Sequence, residues 1–597
     1  MAGARPRSLC ALTARQAMTQ RSRAFFLERL AQRCNVSVLI IGGGINGAGL
    51  FRDLAMQQVD CLLIDKADFA SGASSAPSRL IHGGLKYLET GEFRLVAEST
   101  LERNLLLKNA PHFVRPLETV LPIQSYFGGI VASALRFFGI KSKLADRGMI
   151  ISKLGLTIYD FLGRHHRTMP RHHVAFKTRS LRNLPVLDPA IKATATYFDA
   201  QVTQAERLNY ELVADGLAAC EEAAAANYVT VDHVEDEKVW LRDLMSDRLF
   251  PVTPTIIINA SGAWIDSVNH SLGIKRKYIG GTKGSHLIVD HPELYAQLCG
   301  RMVYFGSKDG RICLVYPFMD RLLVGSTDIR VDDPDEIRCE DSEVEYMFGA
   351  LREIFPRLRV DASNISFRYS GVRPLPYSDA ANPGEVSRDH VVHIDHLPDT
   401  RIPVLSLVGG KWTTFRGFAE SVADDTLERL GRSRRVSTRD AAIGGGHDFP
   451  RTSGDRAAWI NELATRCGVP VERAETLLSR YGTSASAIAA FCSPAHGGPP
   501  DTPLASEPSY TVREIQYICE HEAVTHLADL LLRRTTIALS GKLTHAVLAE
   551  TATVAARALG WDSNRMRGEI DAARDIATQR HGVVLRETEG DDVRVSP

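Results

Sequence analysis

The chain has 597 residues, 44% of them hydrophobic and 24% charged, which is enough for two or three domains and is the make-up of a globular enzyme. Its 71 basic and 71 acidic residues cancel, so no global field draws nucleic acid, and nucleic acid is not an expected partner. Ten cysteines stand singly with no C-x-x-C, so no metal site is expected, and no run of about 18 apolar residues is present to span a bilayer as a helix.

Residues 1–35 form an N-terminal extension, rich in arginine and without an acid before Glu28. A transit-like leader is one reading; a surface helix over 21–33 is preferred, because no secretory apolar core is present. Val36–Ile41 is an apolar run that leads into Gly42-Gly43-Gly44-Ile45-Asn46-Gly47, a G-x-G-x-x-G. That order predicts a buried strand, a tight turn and a helix whose N-terminus faces an anion. Gly42 makes the turn, Gly44 lets backbone approach a pyrophosphate, and Gly47 lets helix pack on strand. A second apolar run, Cys61–Ile64, ends in Asp65, roughly 20 residues on, where a carboxylate can take a ribose hydroxyl. A loop of small residues follows, Ala70–Ser78 with Ser74 and Ser75 at its centre, and then the turn His82-Gly83-Gly84. Small side chains there suit a backbone lying against a diphosphate and a flat ring; the alternative is a plain surface loop.

Pro116 to Pro189 interrupts this pattern, and Val252–Asn259, followed by Ala260-Ser261-Gly262, returns to it. Cofactor and substrate segments are thus interleaved in a core over 36–435, with cofactor segments at about 36–115, 196–275 and 360–435. From Ile443 onward the spacing is helical: Trp459–Arg466, Val471–Arg480, Val512–Leu532 and Leu543–Leu559. A helical domain over 436–585, divided by a Pro/Gly linker at 493–501, and a tail over 586–597 complete the division. The glycine run Gly444–Gly446 lacks a preceding long apolar strand and is not read as a second nucleotide site.

The glycine turn, Ser78-Arg79-Leu80-Ile81-His82-Gly83-Gly84-Leu85-Lys86-Tyr87-Leu88 and Glu92–Val96 resemble the FAD-dependent glycerol-3-phosphate dehydrogenases. The resemblance continues through Lys283–His286, Gly325–Asp328, Tyr369–Leu375, Ser387–Asp389 and Gly409–Arg416, and reaches Glu520–Glu522 and Leu532–Thr535. It implies an α/β fold: an FAD-binding Rossmann-like domain of the glutathione-reductase/D-amino-acid-oxidase type, an interleaved α+β substrate cap, and a helical C-terminal domain. The implied reaction oxidises sn-glycerol-3-phosphate to dihydroxyacetone phosphate with hydride transfer to FAD and electrons passed to membrane quinone.

The FAD-binding set so implied is Gly42, Gly44, Asn46, Gly47, Asp65, Ser74, Ser75, Gly83, Gly262, Gly410, Lys411, Thr413 and Thr414. Gly409–Thr414 resembles a turn into a helix N-terminus, whose dipole would stabilise negative charge on reduced flavin. The resemblance places Arg373, Arg388 and Lys411 at the phosphate. Arginine matches phosphate bidentately, at roughly 1.5–3 kcal/mol per charge-assisted contact. Lys86 stands where the family commonly has Arg, which keeps the charge and loses the planar fork. His286 is the preferred proton acceptor; His82 is a second candidate or a shaper of the loop beside the flavin, and Tyr87 bonds substrate or belongs to an aromatic core.

A quinone acceptor implies attachment to the inner face of the cell membrane from the cytoplasm. Phe127–Arg147 mixes apolar and basic residues and is either a membrane-facing segment or a cap helix packed on the core. The basic stretches Arg164–Arg167 and Arg171–His173 lie close by in sequence. The resemblance leaves room for a homodimer. The rival readings are an oxidase that delivers electrons to oxygen, a silent FAD-binding protein, and an NAD-dependent dehydrogenase. The retained His286, Arg373, Arg388 and Lys411 weigh against the second. The small-residue loop and the Gly409–Thr414 turn weigh against the third.

Overall fold

The computed structural model describes residues 23, 27–28, 34–88, 91–126, 148–163, 169–307, 309–378, 389–494 and 499–586. The segment 127–147, the basic stretch 164–167, Arg388, the side chain of Lys86, the tail beyond 586 and all of 1–35 except Arg23, Leu27, Glu28, Cys34 and Asn35 lie outside the described residues. Arg23, Leu27 and Glu28 are helical.

Two sheets organise the chain. In the first, six strands run in the order Val391–His396, Pro403–Val408, Leu249–Asn259, Asn35–Ile41, Cys61–Asp65, Ala224–Asn227, the last five parallel. Parallel neighbours need a crossover, and the helix Ile45–Met56 supplies it between the strands Asn35–Ile41 and Cys61–Asp65. Both faces of such a sheet are covered, so Val38–Ile41 and Cys61–Ile64 read as continuous apolar runs and are all buried. Helices Ala205–Ala219 and Phe415–Arg429 flank Ile45–Met56 at close range, which small residues permit. A Cβ on Gly49 would lie 2.7 Å from the Phe415 ring, and one on Gly216 would lie 2.6 Å from the Phe51 ring.

The second sheet has ten strands. Val114–Ile123 leaves the cofactor half and pairs antiparallel with Ala193–Val202, and Thr282–Val289 lies between Arg321–Gly325 and Ile365–Arg373. Helix Asp341–Ile354 packs on one face of this sheet, burying Val344, Met347, Phe348 and Leu351 against Leu287 and Val324. On the other face, Leu314, Tyr316, Phe318, Phe367 and Tyr369 share a core with the C-terminal helices.

Those helices run Ser453–Cys467, Val471–Tyr481, Ala485–Cys492, Val512–His521, His545–Leu559 and Ser563–Asp575. The single helix expected over Val512–Leu532 is broken. It ends at His521, Ala523 turns left-handed (φ 51°), and the chain resumes at Leu527–Asp529 before a widened, π-type turn over Leu530–Arg534. Spacing alone could not show this, because the break is held by charged side chains that reach another part of the chain. The run Gly444–Gly446 is a close crossing, since a Cβ on Gly445 would lie 1.9 Å from the Tyr481 carbonyl oxygen. Among the described residues no helix is long and apolar enough to cross a membrane.

Candidate active site

The glycine turn is shaped by contacts that exclude a side chain. Gly42 has φ 108°, and a Cβ there would lie 2.6 Å from the Ala260 carbonyl oxygen; one on Gly47 would lie 1.9 Å from the Gly42 oxygen. The amides of Gly43 and Ala67 donate to the two oxygens of Asp65, at 2.7 and 2.9 Å. Burial nevertheless pushes that carboxyl up to about 6, against the pull of the two donors. The small-residue loop folds back over the turn: Ser74 Oγ accepts from the Ile45 amide (2.9 Å), and Ser75 Oγ donates to the Gly72 carbonyl (2.9 Å). The two ends of the cofactor half meet here. Asn46 Nδ2 donates to the Gly409 carbonyl (3.4 Å) and Trp412 Nε1 to the Ser74 carbonyl (3.1 Å). Asn46 Oδ1 is buried and has no partner within the described protein.

All of this lines one cavity of about 1950 Å³. Of the sequence-derived cofactor set, Gly42, Gly44, Asn46, Asp65, Ser74, Ser75, Gly262, Gly410, Lys411 and Thr413 line it. Gly47, Gly83 and Thr414 do not line it. Gly47 is packed against the strand, and the Gly83 amide is bonded to Tyr159 (2.9 Å) and Asp199 (3.1 Å) behind the wall. Thr414 is buried as the last residue of the short turn Trp412–Thr414 and stands at the N-cap of helix Phe415–Arg429.

The same cavity is lined by His82, Tyr87, His286, Arg373 and Lys411. The His82 amide donates to Thr413 Oγ1 (3.2 Å), and Lys411 Nζ sits 3.7 Å from the centre of the Tyr87 ring, so Tyr87 carries that ammonium. Arg373 crosses flat over Gly284, where a Cβ would lie 2.0 Å from its guanidinium, and donates to Asp328 (3.0 Å) and the Thr327 carbonyl (3.2 Å). His286 lies beside Gly325, where a Cβ would lie 2.2 Å from the ring, and stacks on Tyr369 at 5.1 Å. Gly284 and Gly325 thus make room for the Arg373 and His286 side chains. Beneath them, Glu343 takes Lys283 (2.7 Å), Ser285 (2.8 Å) and Thr327 (2.6 Å).

Sequence reasoning passed over Ser78, whose Oγ is 2.7 Å from His286 Nε2, and Asp328, the partner of Arg373. Both belong to motifs that carried the resemblance, but partners 208 and 45 residues away in sequence leave no local signal. His286 differs from an ordinary histidine: burial, with Arg373 and Arg79 nearby, pushes it down to about 3. It is therefore neutral throughout the range where enzymes work, and its Nδ1 has no partner within the described protein.

A pH dependence follows. Between pH 6.5 and 3 the unfolded chain protonates this histidine while the folded one does not, so the unfolded state binds more protons and stability falls as pH falls. At pH 5 the difference is about 2 kcal/mol. Comparing melting temperatures of the flavin-free protein at pH 7 and 5, His286→Asn should lose markedly less than wild type; equal losses would show that His286 titrates normally.

Residues 37–416 match the family described as FAD dependent oxidoreductase, and residues 436–566 match the C-terminal domain of alpha-glycerophosphate oxidase. The chain is 32% identical over 531 residues to the glycerol-3-phosphate dehydrogenase of Synechocystis sp., covering 85% of this chain and 90% of that protein. It is 30% identical over 509 residues to the aerobic glycerol-3-phosphate dehydrogenase of Escherichia coli, covering 83% and 93%. The solved glycerol-3-phosphate dehydrogenase of Bacillus halodurans, complexed with FAD, shares the fold with a TM-score of 0.70 at 22% identity, over 94% of this chain and 98% of that one. With its two halves matched in order and its relatives spanned almost end to end, the chain belongs to the FAD-dependent glycerol-3-phosphate dehydrogenase family.

Proposed function

We propose that the protein oxidises sn-glycerol-3-phosphate to dihydroxyacetone phosphate, using FAD, and passes the electrons to a membrane quinone. The observation that carries the reading is the convergence of Arg373, Lys411 and a neutral His286 on the cavity that holds the glycine turn. FAD fits the residues present: Gly42 and Gly47 leave no room for side chains, Gly44 leaves the helix N-terminus open to a pyrophosphate, Asp65 is oriented at the end of its strand, and Asn46 Oδ1 is buried without a partner within the described protein. Gly42, Gly44, Asn46, Asp65 and the Ser74–Ser75 loop would hold it, and when bound it supplies the hydride acceptor.

The chain's own residues do the rest. Arg373, its plane set by Asp328 and the Thr327 carbonyl, and Lys411, set on Tyr87, grip the phosphate and fix the carbinol carbon. The hydroxyl proton goes to His286 Nε2, through Ser78 Oγ. The burial that keeps His286 neutral also makes it a weak base. A bound phosphate dianion offsets the charge of Arg373 and so raises its basicity as substrate arrives. Arg388 and Lys86 belong to the same proposal on the strength of the resemblance.

Attachment to a membrane surface is supported by the helix Met149–Leu162, next in sequence to 127–147. Ile150, Leu154 and Phe161, on one face at i, i+4, i+11, are 46%, 62% and 58% exposed. The expected result is that substrate bleaches the flavin spectrum of the anaerobic protein, and that quinone in anionic vesicles restores it faster than oxygen. Faster recovery with oxygen would make the protein an oxidase; a flavin that stays oxidised under excess substrate would remove the assignment.

A further inference from the structure

The motif Leu532–Thr535 lies in the C-terminal helices, where the proposed chemistry assigns it nothing. In the fold it reaches the cavity lined by the glycine turn. Leu532 and Arg533 line the cavity together with Asp68 and Tyr228. Asp68 is fully buried, three residues after Asp65. Its Oδ1 accepts from Arg534 Nη2 (2.8 Å) and Asn227 Nδ2 (3.0 Å), and its Oδ2 from Arg534 Nη1 (2.9 Å) and Arg533 Nε (2.5 Å). Arg533 also donates to Asp529 (2.6 Å), which takes the Tyr228 hydroxyl (2.5 Å), and Arg534 Nε donates to the Glu522 carbonyl (2.8 Å). Two carboxylates and two guanidiniums thus neutralise one another in the interior, and each carboxylate oxygen of Asp68 accepts two hydrogen bonds. The widened turn over Leu530–Arg534 is what lets two consecutive arginines reach one carboxylate.

What Asp68 holds is the glycine turn. The Ala70 amide donates to the Gly43 carbonyl (3.1 Å), the Ser71 amide to the Asp68 carbonyl (3.1 Å), and the Phe69 ring packs where a Cβ of Gly43 would lie 2.5 Å away. We propose that Arg533 and Arg534 are positioning residues for the flavin: through Asp68 they clamp the 66–71 loop onto the glycine turn, making the C-terminal domain part of the device that retains FAD. The proposal rests on flavin binding and not on the identity of the substrate.

A buried pair could instead be a staple between domains, indifferent to the cofactor. Flavin release separates the two. Holoenzyme is diluted, and the rise of flavin fluorescence is followed without substrate for wild type, Asp68→Asn, Arg534→Gln, the double variant and Glu514→Gln. Glu514 takes Arg473 (2.7 Å) and Tyr481 (2.5 Å) inside the C-terminal domain, so its loss lowers the melting temperature without touching the loop. Asp68→Asn and Arg534→Gln are expected to speed release at least about tenfold, the double variant well short of the product of the two, and Glu514→Gln less than about twofold. Variants that melt lower yet release flavin at the wild-type rate would overturn the proposal. Should Arg534→Gln not fold, the near-isosteric Asp68→Asn decides by the same criterion. A substrate that fails to bleach the flavin while these rates hold would remove the proposed reaction and leave the clamp standing.

Discussion

Replacing Gly47 with alanine is expected to unfold the cofactor half, whereas Gly44→Ala is expected to fold and stay colourless. The two glycines belong to one motif and differ in what surrounds them. At Gly47 the methyl would lie 1.9 Å from the Gly42 carbonyl oxygen, which is backbone in the central strand's turn and cannot give way. Helix and strand must separate, at or above the ~1–3 kcal/mol usual for overpacking. At Gly44 the methyl would meet only Ser74 Oγ at 3.1 Å, on a backbone (φ −72°) that any residue adopts. What it blocks is the approach of a pyrophosphate to the helix N-terminus. Melting curves with the ratio of flavin to protein absorbance distinguish the outcomes. A stable, yellow Gly47→Ala protein would contradict the packing described, and a yellow Gly44→Ala protein would contradict the placement of the pyrophosphate.

Arg373→Ala should lower kcat/KM by roughly 10- to 150-fold, mostly through KM, with flavin still bound, since it removes charge-assisted contacts of about 1.5–3 kcal/mol to the phosphate. Asp328→Asn should cost less. The guanidinium and its bond to the Thr327 carbonyl remain, and only the partner that fixes its plane is weakened. Steady-state kinetics on both variants, with flavin content measured, provide the check. An unchanged KM in Arg373→Ala would take this residue out of the phosphate site.

Much of the cofactor half was legible because its rules are local. An apolar run, a G-x-G-x-x-G and a second apolar run ending in an acid roughly 20 residues on specify strand, turn, helix and second strand whatever the rest of the chain does. Gly83 shows the limit: it belongs to a motif, but its amide serves Tyr159 and Asp199. The helix expected over Val512–Leu532 failed for a related reason. Its apolar spacing is real, but Arg533 and Arg534 are drawn to a carboxylate 465 and 466 residues away, and the chain breaks to let them reach it.

By itself, then, the sequence determined the kind of cofactor fold, the position of its glycine turn and the family to which the chain belongs. These depend on backbone sterics and on spacing within a few tens of residues. Tertiary structure alone decided that His286 is neutral, that Arg373 is aimed by Asp328 across Gly284, and that the C-terminal domain grips the flavin loop through Asp68. Desolvation and charge pairing act through space, and their strength depends on which distant residues the fold brings to the same buried point.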